Sequence, residues 1–403
     1  MNPGYAERMP AAGAPRRALI LVRSDIDRDP RVRRQIEWLS EAGWVVDTVG
    51  LGDTHVPGVA RHYPLGPGKR WTRTPFGTLV LYGLTGRVRR FRRLVTDGID
   101  AELHAGIRDG QYALVIFNDT HLLGWVKDPA VFTPKARAAH LHADIHEYFP
   151  QHYPRNSLWS RLTRRHHEWL RALIGDPSWD TRSVVVDEIA DLYTQELGIE
   201  RPTVIMNAPA PSDLAPTPPH EPVRLVYHGK SELTRGLGEI IDAVGLLDDR
   251  FVLTMYLVGG EAVADALRDR SASFADRVRI LPPVAFDDIC ATINAHDVGI
   301  VFFPPATRNH EVALPNKLFE SIQARLGLVI GPTAPMQRVV DRFGNGIVSA
   351  GWSATDLAAA LQTIDRDAIV RWKAASDAAA REVNSVHEGQ RFLALIGGTG
   401  ADD

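Results

Sequence analysis

Short apolar runs alternate along this chain with segments whose apolar residues recur every three to four positions. The first run, ALILV at 18–22, predicts a strand. PRVRRQIEWLSEAG then predicts a helix, with Pro30 in its first turn, Val32, Ile36 and Leu39 on one face, and Gly43 ending it. WVVDTVG predicts a second strand. Further strands are expected at ALVIF (113–117), AAHLHA (138–143), SVVV (183–186) and TVIM (203–206), with helices between them. The stretch APAPSDLAPTPPHEP, 208–222, is too rich in proline to form a helix or a central strand and reads as a linker. After it the rhythm restarts: RLVYHG, a helix to about 247, FVLTMYLVGG, a helix, VRIL, a helix, DVGIVFF, a helix from about 315, LVIG, and a helix near 335–342.

Strands alternating with helices of this length imply parallel sheets covered on both faces, in two doubly wound α/β domains. Ligands of such sheets sit at the carboxyl ends of the strands. The 403-residue length fits two such domains. The expected divisions are a disordered leader at 1–16, a first domain at 17–207, the linker at 208–222, a second domain at 223–380 and a C-terminal helix and tail at 381–403.

Composition narrows the function. Net charge is −3, so nothing draws the whole molecule to nucleic acid. The single cysteine, Cys290, excludes a disulfide framework and points to a reducing compartment; within FDDICATINA it reads as a packing residue on a helix. The N-terminus has no signal-peptide core, and the longest apolar stretch, 76–84, is too short to span a bilayer. A cytoplasmic protein is expected, with an option of peripheral attachment at the inner membrane face. That option rests on residues 69–93, where eight basic residues and no acid are interleaved with Trp71, Phe76, Tyr82 and Phe91. The same stretch equally suits a core helix with solvated arginines.

Several chemistries are absent. The first strand runs into RSDIDRDPRV, with no glycine to let a dinucleotide's pyrophosphate approach. There is no Walker loop, H-E-x-x-H or G-x-S-x-G. His140 and His142 share a strand face, but no carboxylate or cysteine completes a ligand set with them and His146, so no metal is expected. HHE at 166–168 reads as a solvated helix face.

The second domain opens with a strand followed by GKSELTRGL. Lys230 follows Gly229 at the strand end, and Arg235 comes just before Gly236 at a helix start. Two cations there suit a diphosphate, although the spacing also fits two solvated surface cations. In NHEVALPNKLFESIQARLGLVIG, 309–331, Pro315 starts a helix with Asn316, Lys317 and Glu320 in its first turns. Lys317 can join the diphosphate clamp, and Glu320 can accept bonds from a ribose diol. An ordinary amphipathic helix with surface Lys and Glu fits as well.

These segments resemble the retaining GT-B glycosyltransferases of the family-4 type, related to bacterial polysaccharide and lipid-sugar synthases. The resemblance covers roughly 17–390. DRDPRVRRQIEWLSEAGWVVDTVG, ADIHEYFP and SVVVDEIADLYTQELGI…PTVIMNAP are similar to the family's first domain; GKSELTRG and ALPNKLFE are similar to its phosphate cradle and nucleotide helix. The resemblance implies a GT-B fold, two Rossmann-like domains facing a cleft, and transfer of a sugar from a nucleoside-diphosphate sugar of UDP or GDP type. The acceptor would be a glycan, lipid-linked or natural-product molecule, with retention and with no metal or other cofactor. Lys230 and Arg235 would stabilise the leaving diphosphate, and His146 would meet the donor sugar. Gly229, Asn316, Lys317, Glu320 and Glu311 would bind the donor, and Asp25, Asp144 and Glu147 would lie on the acceptor side. The helices at 366–396 would cross back to the first domain. The chain also departs from the pattern. Val312 stands where the first acid of E-x7-E is expected, with Glu311 beside it. Ala313 and Leu314 replace glycines, Arg325-Leu326-Gly327 replaces Gly-Leu-Pro, and Ser24-Asp25-Ile26-Asp27 replaces a Gly-Gly loop. Two alternatives follow: a catalytically degenerate homologue that scaffolds a partner, or another GT-B activity such as a nucleotide-sugar epimerase.

Overall fold

The computed structural model describes residues 16–65, 99–149 and 158–397. The basic stretch 69–93, the leader before residue 16 and the tail beyond 397 lie outside the described residues. The chain divides into two compact units, Met1–Met206 with Gly389–Asp403, and Asn207–Glu388.

The first unit holds a seven-stranded sheet in the order β3-β2-β1-β4-β5-β6-β7. The strands are β1 Arg17–Leu21, β2 Val45–Gly50, β3 Val59–Pro64, β4 Leu114–Asn118, β5 His140–Ile145, β6 Thr181–Val184 and β7 Thr203–Val204. Every pairing is parallel. β1 is buried on both faces because helices cover both, which is why ALIL reads as an unbroken apolar run. Helix Pro30–Glu41 takes its start from Asp29, whose carboxylate accepts from the Arg31 and Val32 amides. It buries Val32, Ile36 and Leu39 against the sheet. Within the helix Ser385–Leu395, residues from Gly389 onward belong to this unit. Gly389 is required there: a Cβ would stand 2.6 Å from Trp38 Cδ1. Phe392 then packs 5.5 Å from the Trp38 ring.

The second unit holds a six-stranded parallel sheet in the order β10-β9-β8-β11-β12-β13. These strands are β8 Val223–Lys230, β9 Phe251–Val258, β10 Val278–Leu281, β11 Val298–Val301, β12 Gly327–Ile330 and β13 Gly346–Val348. Its main core joins Leu225, Tyr227, Phe251 and Met255 to helices Leu237–Leu246 and Ala354–Gln362.

The proline-rich segment has no regular secondary structure, as expected, yet it is fastened to the second unit. Ser212 Oγ donates to the Gln323 carbonyl at 2.6 Å, and the buried Lys373 ammonium donates to Thr217 Oγ1 at 2.7 Å while pairing with Asp297. Arg325 explains one departure from the family pattern. Its φ of +59° lies in the left-handed region that favours glycine. Its guanidinium is buried and donates to Ser212 Oγ, the Ser212 carbonyl and Asp377 at 2.7–2.9 Å. A glycine would relax the backbone and lose that fastening.

Two expectations need correction. The 166–168 run is not a wholly solvated face: His167 is 5% exposed, with its ring 5.3 Å from Phe149, while Glu168 is exposed. The helix expected between VRIL and DVGIVFF is only Ile289–Ile293, after a short turn at Phe286–Asp288.

Candidate functional site

In each sheet the strand order reverses once, between β1 and β4 in the first unit and between β8 and β11 in the second. Loops part at such a switch point and leave a crevice at the carboxyl ends of the strands. Several of the sequence-predicted residues of each unit fall at these places.

The first unit has a cleft of about 260 Å³ there, lined by Arg23 and Ser24 after β1, Asp119, Thr120 and His121 after β4, and His146, Glu147 and Phe149 after β5. His146 is half-buried and Glu147 exposed. Asp25 is not among the lining residues; its side chain is 46% exposed and 3.5 Å from Arg28. Asp144 is fully buried and meets no solvent. It is a hub instead. Arg31 Nε and Nη2 each donate to it at 2.6 Å, Ser183 Oγ at 2.6 Å and Gln35 Nε2 at 2.5 Å. His146 Nε2 lies 3.1 Å from Asp144 and 3.0 Å from Asn118 Oδ1, whose amide donates to Gln35. Burial alone would raise the Asp144 pKa; the Arg31 and His146 charges and their hydrogen bonds outweigh it and hold the carboxyl well below the usual range. The network therefore fixes the His146 ring at the cleft wall.

The histidines beside it are occupied by hydroxyls. His140 Nε2 and His142 Nδ1 each lie 2.8 Å from Thr181 Oγ1, and His142 Nε2 lies 2.9 Å from Ser183 Oγ. Burial pushes His142 down to about 3, so it is neutral near pH 7.

In the second unit Gly229 and Lys230 close β8, and the turn Leu233–Arg235 leads into helix Leu237–Leu246. Gly236, with φ +71°, is forced by closeness: a Cβ would stand 2.8 Å from Pro304 Cδ, which follows β11. Lys230 is exposed. Arg235 is 31% exposed and donates to Glu232 at 2.9 Å, a partly solvated pair that an incoming phosphate can displace at small cost.

Helix Asn316–Gln323 starts from Pro315 and buries more than an amphipathic surface helix would. Lys317 and Glu320 are both at most 8% exposed. Glu320 Oε2 lies 2.7 Å from His228 Nε2 on β8. Lys317 Nζ sits 3.7 Å above the centre of the Tyr227 ring. Burial, with Arg235 acting the same way and Glu320 opposing, pushes Lys317 down to about 7. Asn316 is half-buried. Glu311 turns to solvent and pairs with Arg308, while Val312 is 4% exposed.

The structure thus brings Lys230, Arg235, Lys317 and Glu320 to one strand end, and His146 and Glu147 to another. Sequence reasoning missed His228 and Tyr227, the partners of Glu320 and Lys317, and Arg31, Gln35, Asn118 and Ser183, which hold Asp144. The polar residues inside HLHADI were the one visible signal, since an interior strand carries such groups only where they are satisfied.

No protein-family model and no curated protein matches the chain. Solved structures do match in fold. A sucrose-phosphate synthase from Thermosynechococcus elongatus superposes with TM-score 0.68 at 16% identity, over 95% of this chain and 100% of the other. Anabaena HepE, crystallised with UDP and glucose, matches with TM-score 0.67 at 15% identity, over 95% and 99%. A glycosyltransferase from Rickettsia africae matches with TM-score 0.64 at 13% identity, over 96% and 100%. The chain has the two-domain GT-B fold of these proteins.

Proposed function

We propose that this chain is a glycosyltransferase that takes a sugar from a nucleoside-diphosphate sugar bound by its second unit. The observation that carries the reading is the convergence of three basic side chains, Lys230, Arg235 and Lys317, at the carboxyl end of β8, beside the buried Glu320–His228 pair. Preplaced cations stabilise charge developing on a departing diphosphate, the largest lever available for such a step. Glu320, oriented by His228, is the carboxylate suited to a ribose diol. HepE, of the same fold, was crystallised with UDP and glucose, which supports a donor of that type. The cationic cradle supports leaving-group stabilisation without a metal, and retention follows from the family resemblance. The first unit's cleft, with His146 and Glu147 in its wall, is the acceptor side, for a glycan, lipid-linked or natural-product acceptor.

The test is release of nucleoside diphosphate from a panel of UDP- and GDP-sugars by the purified chain. Release that falls at least tenfold in the Lys230→Ala, Arg235→Ala double variant supports the reading. Equal release by the double variant contradicts it.

One observation favours a second reading, a degenerate homologue that scaffolds a partner. Val312 is buried where the resemblance expects an acid, and Glu311 is turned to Arg308. On that reading nucleotide binds and no sugar is ever released.

A further inference from the structure

Beneath the Gly229–Lys230 turn the packing is unusual. Tyr227 is fully buried, and its hydroxyl is buried with no hydrogen-bond partner. Burial raises the phenol's pKa, and it stays neutral at any working pH. Above the ring lies Lys317 Nζ, 3.7 Å from its centre, where the ring face attracts a cation. Gly229 has φ +129°, and a Cβ there would stand 3.3 Å from Lys317 Nζ and 4.0 Å from the Tyr227 hydroxyl. The missing side chain at 229 is what lets the ammonium sit directly under the turn.

We propose that Tyr227 is a positioning residue whose ring holds the Lys317 amine under the Gly229–Lys230 turn, and that Lys317 takes up a proton, to the extent that the free amine lacks one, when a nucleoside diphosphate binds. The inference rests on reading the turn as the diphosphate cradle. The groups around the amine set its charge. Arg235, on the turn after β8, repels a proton there, and Glu320, on the same helix and paired with His228 of β8, attracts one. Glu232 is committed to Arg235, with Lys230 and His310 also acting on it. In the free protein burial and Arg235 hold the amine's pKa far below the usual lysine range, so part of the population lacks the proton. A diphosphate held at the turn brings at least two negative charges close to the amine, and these favour its protonated form. The proton comes from the buffer and stays on Nζ; no bond within the nucleotide is changed.

Linkage makes this measurable: where the free site lacks the proton and the bound site has it, affinity falls as pH rises. The experiment is calorimetric titration of the full chain with UDP and GDP at pH 6, 7 and 8, each in two buffers of different ionisation enthalpy. The expected uptake is at most one proton and grows from pH 6 to pH 8 as the free amine loses its proton. Lys317→Met, close to lysine in length, abolishes it. Tyr227→Leu removes the ring face, so uptake at pH 7 rises and affinity drops more steeply between pH 6 and pH 8; Tyr227→Phe restores the wild-type profile. Binding without uptake at pH 8, or uptake that persists in Lys317→Met, overturns this inference and leaves the cradle standing. No binding of either nucleotide overturns the cradle and the inference together.

Discussion

Asp144→Asn is a near-isosteric change that separates a buried charge from its shape. The carboxylate receives hydrogen bonds from Arg31 Nε and Nη2, Gln35 and Ser183 and lies 3.1 Å from His146, and Arg31 is only 3% exposed. An amide offers one acceptor oxygen and turns an NH₂ toward groups that are themselves donors. The Arg31 guanidinium then loses its buried carboxylate partner. Removing one partner of a buried pair costs about 3–5 kcal/mol, a large part of a typical domain's stability. Hydrogen exchange of the β4 and β5 amides, which open with the first unit, reads that loss without requiring the two units to unfold together. The pH dependence supplies a second arm. The Asp144 carboxyl is held well below its ordinary value, so its contribution is present above the unfolded carboxyl pKa and is lost as pH falls through the folded one. Wild type and variant therefore differ fully at pH 7 and converge in strong acid. A loss below about 1 kcal/mol at pH 7, or a gap that does not close in acid, would refute the hub.

Three further outcomes follow from the packing. Arg325→Ala and Arg325→Gly both lose the bonds to the Ser212 hydroxyl and carbonyl and to Asp377, and both should lower the urea midpoint of the second unit; the glycine variant should be the more stable by about 1 kcal/mol because only it relaxes the left-handed backbone. Gly236→Ala places a Cβ 2.8 Å from Pro304 in a left-handed residue, so urea unfolding of the second unit should shift down by about 2 kcal/mol or more. Glu320→Ala should weaken nucleotide binding by about 1.5–3 kcal/mol, the scale of a charged hydrogen bond, as read by calorimetry; unchanged affinity removes Glu320 from the ribose role.

The central strands were legible because both of their faces are buried, which writes them as unbroken apolar runs: ALVIF, DVGIVFF and LVIG fall within a residue or two of β4, β11 and β12. Two of the edge strands, β3 and β13, were not. β3, VARHYP, is half-exposed and ends in proline, and β13 has three residues. Helix Ala354–Gln362 carries a capping box at Ser353 and Asp356 that the sequence reading passed over. That Lys230 and Arg235 meet at one strand end was legible from local spacing, since Gly229, Lys230, Arg235 and Gly236 lie within eight residues. Its electrostatics were not, because the partner of Glu320 is 92 positions away on β8. Asp144 shows the same limit. D-x-H-E in a strand end reads as ligand contact, and only the tertiary placement of Arg31, 113 positions earlier, shows that the carboxylate is internal and acts through His146.

The most direct test of the account is a thermal melt of the purified chain with UDP, GDP, TDP, ADP and CDP, each in large excess. A ligand at 100 times its dissociation constant adds about 2.7 kcal/mol to the folded state. The account predicts that at least one of the five raises the midpoint of the transition by a few degrees, and that the Lys230→Ala, Arg235→Ala variant loses the shift. No shift with any of the five, or a shift that the double variant keeps in full, would contradict a diphosphate site at the end of β8.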